Sequence, residues 1–166
     1  MFYSSTDGQY INEGTAFEIA GVQYPSNWLN LSSAEDKAAI GLQEVIATNS
    51  PASDKFYWVS ETLNGASLTY TNTPKDLDAC KANEVSATNA TAYSILLPSD
   101  WMATKAFETG TTVASEWATW RAQIRSQAVT QVAAINACAS IEELAALPNV
   151  DWAKDPNAPV VDPVAP

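Results

Sequence analysis

The sequence predicts an α+β fold: N-terminal antiparallel β hairpins with one short helix, then an antiparallel long-helix pair, a short helix and an extended proline-rich tail. Three observations predict it. Residues 1–72 carry short alternating runs separated by turn dipeptides, residues 73–150 carry apolar positions at helical spacing, and residues 151–166 hold prolines and no core pattern. These are the expected β-rich domain, helical hairpin region and tail. At 166 residues and 46% hydrophobic content, the chain can bury a real interior without a stapling metal.

The elements follow in order. Met1, Phe2 and Tyr3 face Gln9, Tyr10 and Ile11 across the turn dipeptide Asp7-Gly8, and Thr15 to Ile19 alternates before Ala20-Gly21 turns into Val22, Gln23 and Tyr24. Pro25 ends that ladder because it has no amide hydrogen, and Asn27, Trp28 and Leu29 follow as an aromatic plug. Ser32 and Glu35 have capping-box spacing ahead of Ala38, Ala39 and Ile40, and Gly41 supplies a left-handed stop, so one short helix is expected. Leu42 to Ile46 returns to strand character. Residues 55–62 then pair with residues 66–70 across Asn64-Gly65.

At Thr73-Pro74 the pattern changes. Thr73 suits an N-cap, Pro74 suits the first helical position, and Asp76 and Asp78 suit the positive end of the helix dipole. Leu77, Cys80, Glu84, Ala87, Thr91 and Ile95 form its stripe as far as Leu97, where Pro98 breaks or kinks the run. Ser99 or Asp100 can recap a turn through Trp101. After a loop at residues 109–112, a second long helix from about Val113 places Trp117, Trp120, Ile124, Ala128, Val132 and Ile135 on one face. Joined so closely, the two helices should pair antiparallel. Ser140 and Glu143 start a third, short helix that Pro148 stops.

Nineteen acidic against eight basic residues give a formal charge of −11, which repels phosphate backbones and anionic lipid, so neither nucleic acid nor membrane is expected as a partner. No apolar run reaches the roughly 20 residues of a spanning helix, and Met1, Phe2 and Tyr3 lack the character of an export signal. Cys80 and Cys138 are expected as small, reduced core residues. With 0 histidines, a serine nucleophile has no imidazole base and two cysteines cannot complete an ordinary zinc site, so no catalytic apparatus, metal or cofactor is expected. The carboxylate pairs Glu35-Asp36, Asp76 with Asp78, and Glu142-Glu143 all sit in first turns of expected helices. There they complement the dipole more readily than they form an acid and base pair.

The residues singled out for partner binding are Trp117, Trp120, Arg121, Arg125 and Trp152. Arg121 and Arg125 are the only arginines, spaced to form a carboxylate-binding fork or to stack beside Trp117; the plainer alternative is an intrachain ion pair with Glu116 or a carboxylate on the facing helix. Tyr24, Trp28, Tyr57 and Trp58 make a second candidate, a platform for host-surface glycan, if their faces are open.

Gly21 to Leu29 with Ser32 to Leu42 resembles a module of small tailed-phage proteins encoded among tail and fibre genes. The second half is similar to phage tail-fibre assembly proteins, in which a Ser-Asp-Trp element precedes a helix bearing Trp and Arg; here these are Ser99, Asp100 and Trp101, then Trp117, Trp120, Arg121 and Arg125. The resemblance implies a non-catalytic bacteriophage protein that docks on a tail fibre or another tail component, located in the virion tail and in host cytoplasm during assembly. Residues 128–147 stand between the Trp-Arg helix and Trp152, a departure that favours a retained structural subunit over an assembly chaperone absent from the virion. A homo-oligomer is expected, and the thin, alanine-rich helical pair is compatible with a trimer.

Overall fold

The computed structural model describes residues 1–157, which divide into two compact units between Pro74 and Lys75. Residues 158–166, most of the expected tail, lie outside the described residues. Sheets and short helices fill the first unit, helices the second, so the fold is α+β.

In the N-terminal unit, β1 (Phe2–Ser4) is the centre of a sheet, flanked antiparallel by β2 (Tyr10–Ile11) and β5 (Leu42–Glu44). The hairpin of β3 (Phe17–Ile19) and β4 (Val22–Tyr24) turns at Ala20 and Gly21, whose φ values of 51° and 81° give the twist that flanking strands need. Phe2, Ile11, Ile19, Leu29 and Leu42 form this unit's core, with Phe17, Tyr24, Trp28 and Ile40 at its margin.

Two short helices stand where one was expected. Asn27 to Leu29 is not a plug but the start of α1 (Trp28–Leu31), and α2 (Ala34–Ala39) follows. Ser32 is spent closing α1, its amide donating to the Trp28 carbonyl, so the capping box shifts by one residue to Ser33 and Asp36. Gly41 ends α2 at φ 80°, as expected, and its carbonyl accepts from the Ser5 amide at 2.9 Å.

The expected single strand from Leu42 to Ile46 is split between two sheets. The Val45 amide donates to the Met1 carbonyl, while the next amide, of Ile46, donates to Ala66. β6 (Ile46–Ala47) thereby pairs parallel with β8 (Ser67–Pro74), which pairs antiparallel with β7 (Tyr57–Asn64). Beyond β6, the Asn49 side-chain amide exchanges two 2.8 Å bonds with the Tyr70 backbone, imitating a strand residue. The β7–β8 turn lies one residue later than expected: Asn64 pairs with Ser67, and Gly65, at φ 56°, takes the first of two central positions.

The helical unit starts later than Thr73. Thr73 and Pro74 remain in β8, opposite Trp58 and Tyr57, because a residue before proline favours extended backbone. Asp76 caps α3 (Leu77–Leu96) instead, accepting from the Ala79 amide at 2.8 Å. The buried stripe drifts by one residue from the expected positions: Ala87 and Thr91 are exposed, whereas Thr88 is half-buried and Ala92 buried. Pro98 converts the run to a 3-10 turn at Leu97–Ser99, followed by a ten-residue α4 (Asp100–Thr109), longer than the single turn expected.

α5 (Ser115–Ala137) buries Trp120, Ile124, Ala128 and Ile135 on the expected face. It runs antiparallel to α3, since Lys81 near the start of α3 donates to the Asn136 carbonyl at 3.2 Å and Arg121 donates to Leu96 near its end at 3.1 Å. α6 (Ile141–Ala146) is capped by Ser140, as expected. Cys80 and Cys138 are buried free thiols. No helix among the described residues is long and apolar enough to cross a membrane.

Two predictions follow from these turns. A Cβ on Gly41 would lie 2.7 Å from Thr6 Oγ1, whereas one on Gly14 meets nothing within 4 Å, and both residues have positive φ. Chemical denaturation should therefore show Gly41→Ala losing about 2 kcal/mol or more and Gly14→Ala about 1 kcal/mol. The Ser33 side chain and amide hydrogen-bond the Asp36 carboxylate and hold its pKa below the ordinary value. With the folded-state value depressed, this stabilisation is complete above the unfolded pKa and is lost as pH falls through the folded one. Ser33→Ala should move the Asp36 NMR titration upward, back toward an ordinary carboxylate.

Candidate functional site

The five sequence-selected residues of the helical unit separate into an internal lock and an outward surface. Pro98 brings no amide to the helical ladder, and the 3-10 turn draws the Asp100 amide to Leu97. The Leu96 carbonyl, left at the negative end of α3, accepts instead from Ser99 Oγ at 2.8 Å and from Arg121 Nη1 at 3.1 Å. Arg121 also donates to Ser99 Oγ and, through Nη2, to Asp100 Oδ1 at 2.6 Å. Arg121 is 7% exposed, and Asp100 is about half-exposed at its side chain.

Arg121 therefore takes the plainer alternative, an intrachain ion pair, with Asp100 as its carboxylate and not Glu116. Arg125 is exposed one turn later and does not join Arg121 in a fork. Trp120 is buried beside Ile124, Ala92 and Ala128, with Trp117 against it edge-on at 5.5 Å between ring centroids. Trp120 and Arg121 are thus core residues, which leaves Trp117 and Arg125 for contact with solvent.

Trp152 is half-buried on the same cluster, on a segment strapped along α5. Gln131 donates to the Pro148 carbonyl at 3.2 Å, and Gln127 donates to Asp151 at 2.7 Å while accepting from the Ala153 amide at 3.0 Å. Trp120 Nε1 then donates to the Ala153 carbonyl at 2.9 Å. Residues 151–153 are therefore docked backbone and not the free start of a tail. Sequence reasoning missed this strap; its only signal was two glutamines on a face otherwise rich in small residues.

The outward surface is built by α4 and the first turn of α5. Trp101 (57% exposed) and Phe107 (90%) stand on α4, and the Lys105 ammonium lies 5.8 Å from the Trp101 ring centroid. Trp101 and Trp117 line an open concavity of about 320 Å³, together with Met102, Lys105, Ala106, Val113 and Glu116. Tyr93 and Leu97, eight and four residues before Trp101, are also more than half exposed.

In the N-terminal unit the rings of Tyr24, Phe17 and Trp28 pack on one another, Phe17 and Tyr24 stacked at 5.0 Å and Trp28 edge-on to both. A shallow depression beside them is lined by Phe17, Glu18, Gln23 and Tyr24. Of the other two platform candidates, Tyr57 is half-buried and Trp58 is 68% exposed, so these rings are not all withdrawn into the core. Every first-turn carboxylate pair sits at a helix N-terminus: Glu35 with Asp36, Asp76 with Asp78, and Glu142 with Glu143.

Comparison with protein-family models, with curated proteins and with solved structures finds no match to this chain.

The lock gives an asymmetric prediction. Removing Asp100 leaves a buried cation with neutral acceptors, whereas removing Arg121 leaves a carboxylate that water can reach. In urea denaturation, Asp100→Ala should cost about 2–3 kcal/mol and Arg121→Met about 1–2 kcal/mol. The double variant should be no less stable than Asp100→Ala alone.

Proposed function

We propose that this chain is a non-catalytic structural or accessory protein of a bacteriophage tail, docking through its helical unit onto a tail fibre or another tail component. One observation carries the reading: Trp101, exposed on α4, walls a concavity together with a second indole, Trp117, and Phe107 on the same helix is also open to solvent. Aromatic side chains beside a depression of mixed apolar, polar and charged lining are the chemistry of a protein-docking surface. The resemblance of the Ser99-Asp100-Trp101 and Trp117 to Arg125 elements to tail-fibre assembly proteins supplies the setting. The charge of −11 disfavours nucleic acid and anionic membrane as the partner.

Docking residues on this reading are Trp101, Phe107, Trp117 and Arg125, while Trp120, Arg121 and Trp152 act from behind by fixing the helices. The partner is the fibre or another tail protein, and the chain itself is a homo-oligomer, with a trimer suiting fibre symmetry. A glycan-binding module is the second reading, favoured by the half-exposed Tyr24 and Trp28 rings beside Glu18 and Gln23 and by the exposure of Trp58.

Mass spectrometry of purified particles should find the chain in virions, and Trp101→Ala with Phe107→Ser should reduce its incorporation at least about tenfold, equivalent to 1.4 kcal/mol of docking energy. The same variant should keep its unfolding midpoint, because both side chains are mainly solvated. Absence from virions with capture on nascent fibre would replace the structural role by the chaperone. Binding on a glycan array, lost in Tyr24→Ala, would replace it by the glycan module.

A further inference from the structure

β7 is an eight-residue strand at the end of its sheet, and the bonds of its neighbour decide which of its peptide groups look outward. β8 turns the carbonyls of Ala66 and Leu68 toward the Ile46 and Thr48 amides, and the amide and carbonyl of Tyr70 toward the Asn49 side chain. Peptide groups alternate in direction along a strand, so Ser67, Thr69 and Thr71 face β7 and bond Asn64, Thr62 and Ser60. Leu63, Glu61 and Val59 therefore point away from β8. Among the described residues no strand lies on that side, and these peptide groups have no backbone partner there.

Protected edges carry proline, lysine or a bulge. Between Tyr57 and Asn64 there is no proline and no lysine, the register with β8 is unbroken, and Glu61 is the single charge. Every residue from Trp58 to Asn64 is exposed. Such an edge accepts an extended strand, whose backbone bonds give affinity and whose alternate side chains give register.

We infer that the occupant is β7 of a second copy, paired antiparallel about a two-fold axis at Ser60. Other registers that join the outward groups are poorer. Centring on Glu61 sets like charges opposite each other, which is destabilising. Centring on Val59 carries Leu63 past the end of the partner strand, onto Lys55 in the turn before it. Centring on Ser60 keeps residues 57–63 paired throughout: Val59 and Glu61 exchange backbone bonds, Tyr57 meets Leu63, and Trp58 meets Thr62, an aromatic against a β-branched side chain. The strand is thus complementary to itself, as a two-fold interface requires. Each copy carries a charge of −11, which opposes approach at long range, but salt at physiological strength screens it beyond about 8 Å. The pairing does not rest on the phage-tail reading, and it combines with the trimer of that reading only as a hexamer of three pairs.

The test uses the full chain at physiological salt with Ser60→Cys; Cys80 and Cys138 are buried. Opposed across the axis in a non-hydrogen-bonded pair, the two Cα atoms lie about 4.5 Å apart, within disulfide reach. Thr62→Cys lies on the same face but opposite Trp58. Under mild oxidation Ser60→Cys should form the disulfide dimer at least about tenfold faster than Thr62→Cys. Sedimentation of the unsubstituted chain should give a dimer or hexamer, which Glu61→Gln tightens at least about threefold by removing like charge near the axis. Val59→Pro should weaken the pair at least about tenfold while keeping the unfolding midpoint, since the amide it removes points outward and not into the β8 ladder. A monomer or a lone trimer, or equal cross-linking at the two positions, overturns the inference. A dimer that Val59→Pro leaves intact also overturns it, by placing the contact on another surface.

Discussion

A buried guanidinium at a broken helix is the constraint on which the helical unit depends. The 3-10 turn at Pro98 takes the Asp100 amide to Leu97, so the Leu96 carbonyl at the end of α3 lacks its ordinary partner, at the pole where the peptide dipoles sum to negative charge. Arg121 answers both conditions: it donates to Leu96 and Ser99 and pairs with Asp100 at the start of α4. One planar cation thereby ties the end of one helix, the beginning of the next and the middle of a third. Lysine, whose three N–H donors sit on one nitrogen, does not offer the planar two-nitrogen fork that these acceptors engage.

The lock also explains why such a thin helical pair holds together. α3 buries only Cys80 and Ala92 fully, so close backbone approach supplies little apolar area. Area comes instead from the indoles of Trp117, Trp120 and Trp152, and Trp120 carries its N–H to the Ala153 carbonyl, so no buried polar atom is stranded. Among the described residues every buried side-chain nitrogen and oxygen has a partner. Trp101 and Phe107 of α4 remain on the surface, where the proposed docking takes place.

In the N-terminal unit the corresponding constraint is at Val45 and Ile46, whose consecutive amides serve two sheets. Successive peptide groups of an extended chain point in opposite directions, so one residue can end one ladder and open another without a turn. The Asn49 amide prolongs the second ladder where the backbone has already left it. A sheet continued by side-chain amides buries little, and Trp58, Val59 and Leu63 of β7 stay exposed.

The sequence by itself determined the fold class, the β-to-helix transition, the Ala20-Gly21 hairpin, the α5 core face and the stops at Gly41 and Pro98, because each rests on local backbone preference or a short repeat. Local rules erred by one residue where two neighbours could serve, as with Ser32 and Ser33, or by a few where a proline suited both a strand end and a helix start, as with Thr73-Pro74. The candidate site was legible as a list of residues but not as a division of labour. Trp120 and Arg121 share helical spacing and chemistry with Trp117 and Arg125, and only the packed neighbours decided which pair turns inward. Only the tertiary structure could decide this, because burial of a cation depends on acceptors more than twenty residues distant in sequence, a break at Leu96–Asp100 that no spacing within α5 encodes.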